Sequence, residues 1–252
     1  MNRGAWNRFV KARERFCLVT KEIGRSLPEL KNIQQKLADG RGGKNAAYVV
    51  ETPVVYNGDL EKITASDDVK MILVADNPGR REQAAENRRY LAGPSGKIAE
   101  TFFRRNPELG IDFRKNVVIL NKTPIHAPRT VELRELCRLY EKTGKRSLAA
   151  VLDESQRTMA ALLAEFHAAL GVQVWIIGYS EMRKGGIFEV YTEVLKSLYA
   201  DKNQMREQLF FFRHFSMNQF TVDLNRQALP GETVSKSLMR IGASYRKRVL
   251  GW

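Results

Sequence analysis

Four short runs of apolar residues alternate along the chain with longer segments in which apolar positions recur every three or four residues. The apolar runs are residues 71–75, 117–120, 172–177 and 209–212. Because these runs are continuously apolar apart from Gln173, they indicate strands that are buried on both faces, as in a parallel sheet. The periodic segments predict helices over residues 96–105, 131–142, 148–170, 187–199 and 235–250. The pattern therefore predicts an α/β fold with a central, mostly parallel four-stranded sheet flanked by helices on both faces.

The first 45 residues precede this alternation and have a different character. Residues 6–37 are basic with helical spacing of their apolar positions, and a glycine-rich break follows at residues 39–43. We therefore predict a basic helical N-terminal extension over residues 1–45 and an α/β domain over residues 46–252. Two short β-branched runs, at residues 47–50 and 53–56, are split by Pro53 and read as edge strands or as extended cover of the sheet.

Composition narrows the classes of function. The chain has 252 residues, 43% of them hydrophobic, and a net charge of +14, which favours a polyanionic partner and above all nucleic acid. No segment approaches the ~20 apolar residues of a membrane span, and no secretory signal is visible near the N-terminus. With only Cys17 and Cys137, the chain has neither a disulfide framework nor a cysteine metal site. We expect an intracellular protein, in the cytoplasm, nucleoid or nucleus, with no metal or organic cofactor and no membrane partner.

Polar residues follow the apolar runs at their carboxyl ends. The first run leads into Asp76-Asn77-Pro78-Gly79, the second ends at Asn121, and the last leads into Arg213-His214-Phe215-Ser216. Open α/β sheets bind their ligands at the carboxyl ends of the strands. The sequence therefore predicts an active site that combines an acidic and amide pair with a histidine.

Strands in this order, with these ends, resemble the uracil-DNA glycosylase superfamily. Residues 75–79, Ala-Asp-Asn-Pro-Gly, resemble the Gly-x-Asn-Pro-Gly motif of the mismatch-specific and single-strand-selective branches. Residues 90–97 are similar to the Pro-Phe-Val-Gly-x-Ser-Gly motif of the thermophilic branch, and residues 214–216 resemble the closing His-Pro-Ser. The resemblance spans residues 69–220. It departs from the family at Ala75, which replaces a glycine, and at Phe215, which replaces a proline, and the sequence lacks the ligands of the iron–sulfur branches.

The resemblance implies a DNA glycosylase that hydrolyses the N-glycosidic bond of uracil or another deaminated base and acts in base-excision repair. Asp76 and Asn77 would activate water and stabilise the cationic sugar, and which of the two activates the water stays open. His214 would donate a hydrogen bond to the leaving base. Asn121 would read the Watson–Crick edge of the base, and Tyr90 would stack on its face.

The remaining implied roles concern the DNA strand. Phosphate contacts are expected from small or hydroxylated residues at turns, namely Gly79, Ser95, Gly96 and Ser216. Met217 or Phe220 is expected to fill the gap that the extruded base leaves in the stack. The expected partner is DNA and the expected state is a monomer. Two alternatives stay open. One is a catalytically weak or inactive DNA-binding member of the same superfamily. The other is an unrelated doubly wound hydrolase or nucleotide-binding enzyme, although this sequence has neither GxGxxG nor GxxxxGK[ST].

Overall fold

Four parallel strands form the sheet at the centre of the computed structural model, which describes residues 1–40, 47–144 and 147–252. The strands are β1 (Met71–Ala75), β2 (Val117–Asn121), β3 (Gln173–Ile177) and β4 (Leu209–Phe212), in the spatial order β2-β1-β3-β4. Ala75 pairs with Asn121, so β1 and β2 end level with each other. From β1 the chain goes outward to β2 and then crosses back to β3. The carboxyl end of β1 therefore lies where the strand order reverses, which is the usual place for a ligand cleft.

Nine α-helices are assigned within the described residues. They are α1 (Arg3–Ser26), α2 (Leu30–Asp39), α3 (Pro94–Arg105), α4 (Glu132–Glu141), α5 (Leu148–Leu170), α6 (Glu189–Tyr199), α7 (Asn203–Glu207), α8 (Gln219–Gln227) and α9 (Val234–Leu250). The predicted α/β class is confirmed, and the helices predicted from periodicity agree with α3, α4, α5, α6 and α9 to within about two residues. The short helices α7 and α8 were not predicted. None of the helices in the described part of the chain has both the length and the hydropathy needed to cross a bilayer.

Three helices pack against one face of the sheet, on the side of Trp175. The Trp175 ring lies 5.5 Å from that of Phe103 on α3 and 5.9 Å from that of Phe220 on α8. Helix α9 approaches β4 closely at Gly242, where an added Cβ would lie 2.7 Å from the Cβ of Phe210. A side chain at this position would push α9 off the sheet, so the glycine sets the spacing between helix and strand.

A second group of helices consists of α1, α5 and α6. Phe9 of α1 contacts Phe166 of α5 edge to face, with ring centroids 5.3 Å apart. Phe16 of α1 packs against Tyr56 and Tyr90. The N-terminal helices therefore contribute to the same hydrophobic core as the sheet. The predicted domain boundary, between residues 45 and 46, falls within residues 41–46, which lie outside the described residues.

Residues 47–56 form extended cover and contribute no strand to the central sheet. Val54 pairs with Ile125 in an isolated antiparallel bridge, and the backbone N–H of Val55 donates to the Pro124 carbonyl at 2.8 Å. This segment thus packs over the loop that follows β2. The sequence left open whether residues 47–56 form edge strands or extended cover of the sheet, and the structure shows extended cover.

Candidate active site

A cleft of about 930 Å³ opens at the carboxyl ends of the strands. Its volume is in the range of small-molecule sites and suits a nucleobase with its sugar. Most of the predicted site residues line this cleft, although they come from distant parts of the sequence. They are Asp76, Asn77, Gly79, Ser95, His214, Ser216 and Met217.

The Asp76 carboxylate is held by a buried lysine. The ammonium of Lys122 lies 2.5 Å from Asp76 Oδ1, donates to the Ile177 carbonyl at 2.6 Å and sits over the Phe188 ring. Lys122 is 0% exposed and Asp76 is 8% exposed. Burial lowers the pKa of Lys122, an effect that Asp76 opposes. One side chain therefore ties the ends of β1, β2 and β3 together directly behind the cleft.

Gly178, the first residue after β3, leaves the space that the Asp76 carboxylate occupies. Its φ is +79°, and an added Cβ would lie 2.5 Å from Asp76 Oδ1. Both the left-handed backbone and the close approach require glycine here. The orientation of Asp76 is thus determined by β2 on one side and by the β3 turn on the other.

Thr130 links Asp76 to Asn77. Its hydroxyl lies 3.1 Å from Asp76 Oδ2 and 3.1 Å from Asn77 Oδ1. The Asn77 amide nitrogen donates to the carbonyls of Ala127 at 2.7 Å and Pro78 at 3.2 Å, which orients the amide. A hydroxyl donates only one proton at a time, so either Asp76 Oδ2 or Asn77 Oδ1 keeps an open acceptor position toward the cleft. Such a pair of oxygens is suited to hold a water molecule.

His214 presents a neutral N–H donor to the cleft. The backbone N–H of Ser216 donates to His214 Nδ1 at 3.0 Å, so Nδ1 is the acceptor and the proton lies on Nε2. Nε2 forms no hydrogen bond with any residue that the structure describes. Burial lowers the pKa of His214; Asp76 raises it and Lys122 lowers it further. The imidazole is therefore neutral at pH 7, a point that the sequence left open.

Glu82 is a buried acid in the cleft wall. Its carboxylate accepts the backbone N–H of Gly79, and backbone N–H groups of Leu91 and Ala92 also stabilise it. Burial nevertheless raises its pKa to about 7, against the effect of these hydrogen bonds and of Arg114. Through these hydrogen bonds Glu82 connects residue 79 to residues 91 and 92, just before α3. The backbone N–H of Gly79, a residue that was predicted to contact phosphate, is therefore already bound to Glu82.

This raised pKa predicts that Glu82 makes the protein less stable as the pH rises. In the unfolded chain the carboxyl ionises near pH 4.5, and in the folded chain near pH 7, so the folded state binds more protons between these values. Stability therefore falls across this window, by about 3 kcal/mol in total. Glu82→Gln should remove the fall in urea unfolding at pH 5 to 8. Glu86→Gln, at an exposed position of the same loop, should retain it. A wild-type profile that runs parallel to that of Glu82→Gln would contradict the assignment.

The rim of the cleft is basic and partly apolar. The arginines Arg80, Arg81 and Arg129 border it, and Met217 at its edge is 81% exposed with a left-handed φ of 52°. Tyr48 also lines the cleft, and the Arg80 guanidinium lies over the face of its ring, 4.8 Å from the ring centroid. The rim thus combines an exposed apolar side chain with cationic groups.

Four of the predicted site residues do not line the cleft. Tyr90 is 0% exposed and donates to the Val55 carbonyl at 2.7 Å, so its ring belongs to the core beneath α1. Asn121 is 1% exposed, and its amide atoms have no hydrogen-bond partner among the described residues. Gly96 is buried where an added Cβ would lie 1.6 Å from the Leu91 carbonyl oxygen, so it serves close packing. Phe220 packs against Phe215 at 4.5 Å in the core, which leaves Met217 as the exposed candidate for the wedge.

Sequence reasoning missed residues that complete the site, namely Glu82, Lys122, Thr130, Gly178 and Glu181. Asn121 was selected because polar residues at the carboxyl ends of the strands are expected to form the site. The same argument applies to its neighbour Lys122, so the sequence did contain a signal for this lysine. In the described ranges, no three His, Cys, Asp or Glu residues lie close enough together to hold a metal ion. No model of a known protein family matches the chain, and no curated protein sequence is similar to it.

Proposed function

We propose that this protein is a DNA glycosylase that removes uracil or another deaminated base from DNA. One observation carries the proposal: the neutral Nε2–H donor of His214 lines the same cleft as the oxygens of Asp76 and Asn77. Loss of a base from deoxyribose leaves negative charge on the base and positive charge on the sugar. A hydrogen-bond donor for the base and a carboxylate for the sugar stabilise the two charges, which are present only in the transition state.

The proposed reaction is a hydrolysis. The bond between C1′ of the sugar and the base nitrogen breaks, and its electron pair leaves with the base. The oxygen of a water held by Asn77 and Asp76 bonds to C1′. One proton of that water passes to the Asp76 carboxylate and from there to the base anion, so that the products are the neutral base and the abasic sugar. Because Lys122 and Gly178 fix the carboxylate and Thr130 fixes the amide, the water is positioned before the substrate binds.

The basic rim supports DNA as the substrate. Arg80, Arg81 and Arg129 would contact the phosphates that flank an extruded nucleotide. Met217 would fill the space that the nucleotide leaves in the stack, since its side chain is exposed at the edge of the cleft. Tyr48 is the aromatic residue of the cleft wall in place of Tyr90, and the Arg80 guanidinium already covers one face of its ring.

A second candidate is a member of the same superfamily that binds DNA but turns over weakly or not at all. The position of Asn121 favours it, because an amide that is buried without a partner inside the protein does not read a base in the cleft. Both candidates predict DNA binding through the arginine rim. They differ only in whether the base is released.

We expect the protein to release uracil from a single-stranded oligonucleotide, and Asn77→Ala to slow this release by about 10²-fold through loss of the held water. Alkali converts each abasic site into a strand break that is counted on a denaturing gel. Asn32→Ala, at an exposed position of α2, is the matched control and should retain the wild-type rate. Binding of the oligonucleotide without strand breaks above the Asn77→Ala background would support the second candidate and exclude the first.

A further inference from the structure

A groove of about 530 Å³ lies beside the cleft, between α3, α8 and α9. Its floor is apolar and contains Ile98, Phe102, Leu224 and Val234, and its walls carry polar side chains that include Thr221 and Asn225. The turn at residues 216–219 and the start of α3 lie between the groove and the cleft. Some residues of these two segments line the cleft, and others line the groove. A chain that leaves the cleft past Met217 would therefore enter this groove.

Two cations on one wall of the groove are not neutralised. Lys97 and Arg105 line it from α3 and form no salt bridge with any other residue of the described ranges. They are eight residues apart in the helix, or about 12 Å along its axis, so they cannot both serve one small anion. This spacing fits successive charges of an extended polyanion.

Among the residues that the structure describes, Glu232 is the only carboxylate that lines the groove, and it lies in the loop before α9. Glu232 accepts hydrogen bonds from Arg240 and Ser237, which hold its pKa at about 2. The negative charge of Glu232 is therefore compensated by the Arg240 guanidinium. The groove therefore has a positive side along α3, an apolar floor and amides at the edges.

We propose that this groove binds the single strand next to the nucleotide in the cleft, with phosphates along Lys97 and Arg105 and a base over the apolar floor. The chemistry that such a groove recognises is that of a nucleotide: an anion joined to a flat, largely apolar ring with polar edges. The inference rests on the proposed function, because it takes the nucleotide in the cleft to belong to the same strand. The groove assignment also implies that the DNA substrate is single-stranded on at least one side of the damaged base.

The test measures binding of fluorescein-labelled oligothymidylate by anisotropy across a series of salt concentrations. Lys97→Gln/Arg105→Gln should weaken binding about tenfold and should reduce the salt slope by about 1.4, as expected for two lost phosphate contacts on a single strand. Lys21→Gln/Arg25→Gln removes the same charge from an exposed face of α1 and should change neither quantity appreciably. Asn225→Trp fills the groove and should weaken binding while it leaves the slope unchanged.

Equal effects of the two double variants would overturn the proposal, since binding would then respond to net charge alone. Competition by polyglutamate as strong as that by unlabelled oligothymidylate would also overturn it and would indicate an acidic protein partner. Oligothymidylate contains no excisable uracil, so this readout does not depend on catalysis. A protein that fails to release uracil but shows the predicted loss of binding would contradict the proposed function and leave the groove assignment intact.

Discussion

Replacing Lys122 by methionine should lower the free energy of unfolding by about 3–5 kcal/mol, which is the usual cost of removing one partner of a buried ion pair. The ammonium is fully buried and contacts the ends of three strands through Asp76, Ile177 and its own strand β2. Methionine has a similar length and fills much of the same space. The loss would therefore come from the charge left on Asp76 and from the unpaired Ile177 carbonyl, with only a minor contribution from a cavity.

Urea unfolding at pH 7 measures this effect. Lys70→Met is the matched control, because Lys70 pairs with Asp68 at 3.4 Å on the surface and should cost less than about 1 kcal/mol. Adding Asp76→Asn to Lys122→Met should recover at least half of the loss, since it removes the isolated charge. A stability within about 1 kcal/mol of wild type for Lys122→Met alone would show that the buried pair does not hold the strand ends together.

The sheet could be predicted from the sequence because its strands are buried on both faces. The runs at residues 71–75 and 209–212 have no polar interruption, and each ends one or two residues before the first residue of the site. Strand ends in a parallel sheet meet at one edge whatever the loops do. For this reason Asp76, Asn77 and His214 could be placed in one cleft without knowledge of the loops.

Residues on loops and within the core could not be assigned in the same way. Tyr90 matched an aromatic position of the motif, but its direction depends on Arg114, which donates to the Tyr90 and Leu91 carbonyls from a distant segment. Lys122 follows a strand directly, yet lysine is rarely buried, so composition alone places it at the surface. Helix α8 was missed because it is only nine residues long, which is too short for its periodicity to stand out.

Under the proposed function, His214→Ala should reduce the single-turnover rate of uracil release by about 10³-fold, with little change in DNA affinity. The Nε2–H donor acts on charge that appears only as the glycosidic bond breaks, so its loss affects turnover rather than binding. His214→Gln places an amide N–H near the same point and should retain part of the rate. Ser180→Ala, an exposed position in the cleft lining with no assigned role, should retain all of it.

The protonation state of His214 gives a second measurement that does not require activity. Because Nδ1 accepts the Ser216 N–H, nitrogen NMR should show an unprotonated Nδ1 and a protonated Nε2 at pH 7. Burial lowers the pKa of this histidine, so the neutral donor predominates above that pKa and the rate should not fall between pH 7 and pH 8. A rate that declines as the pH rises through 6 to 7 would mean that an imidazolium is the donor. In that case Asp76 would have to outweigh both burial and the repulsion from Lys122.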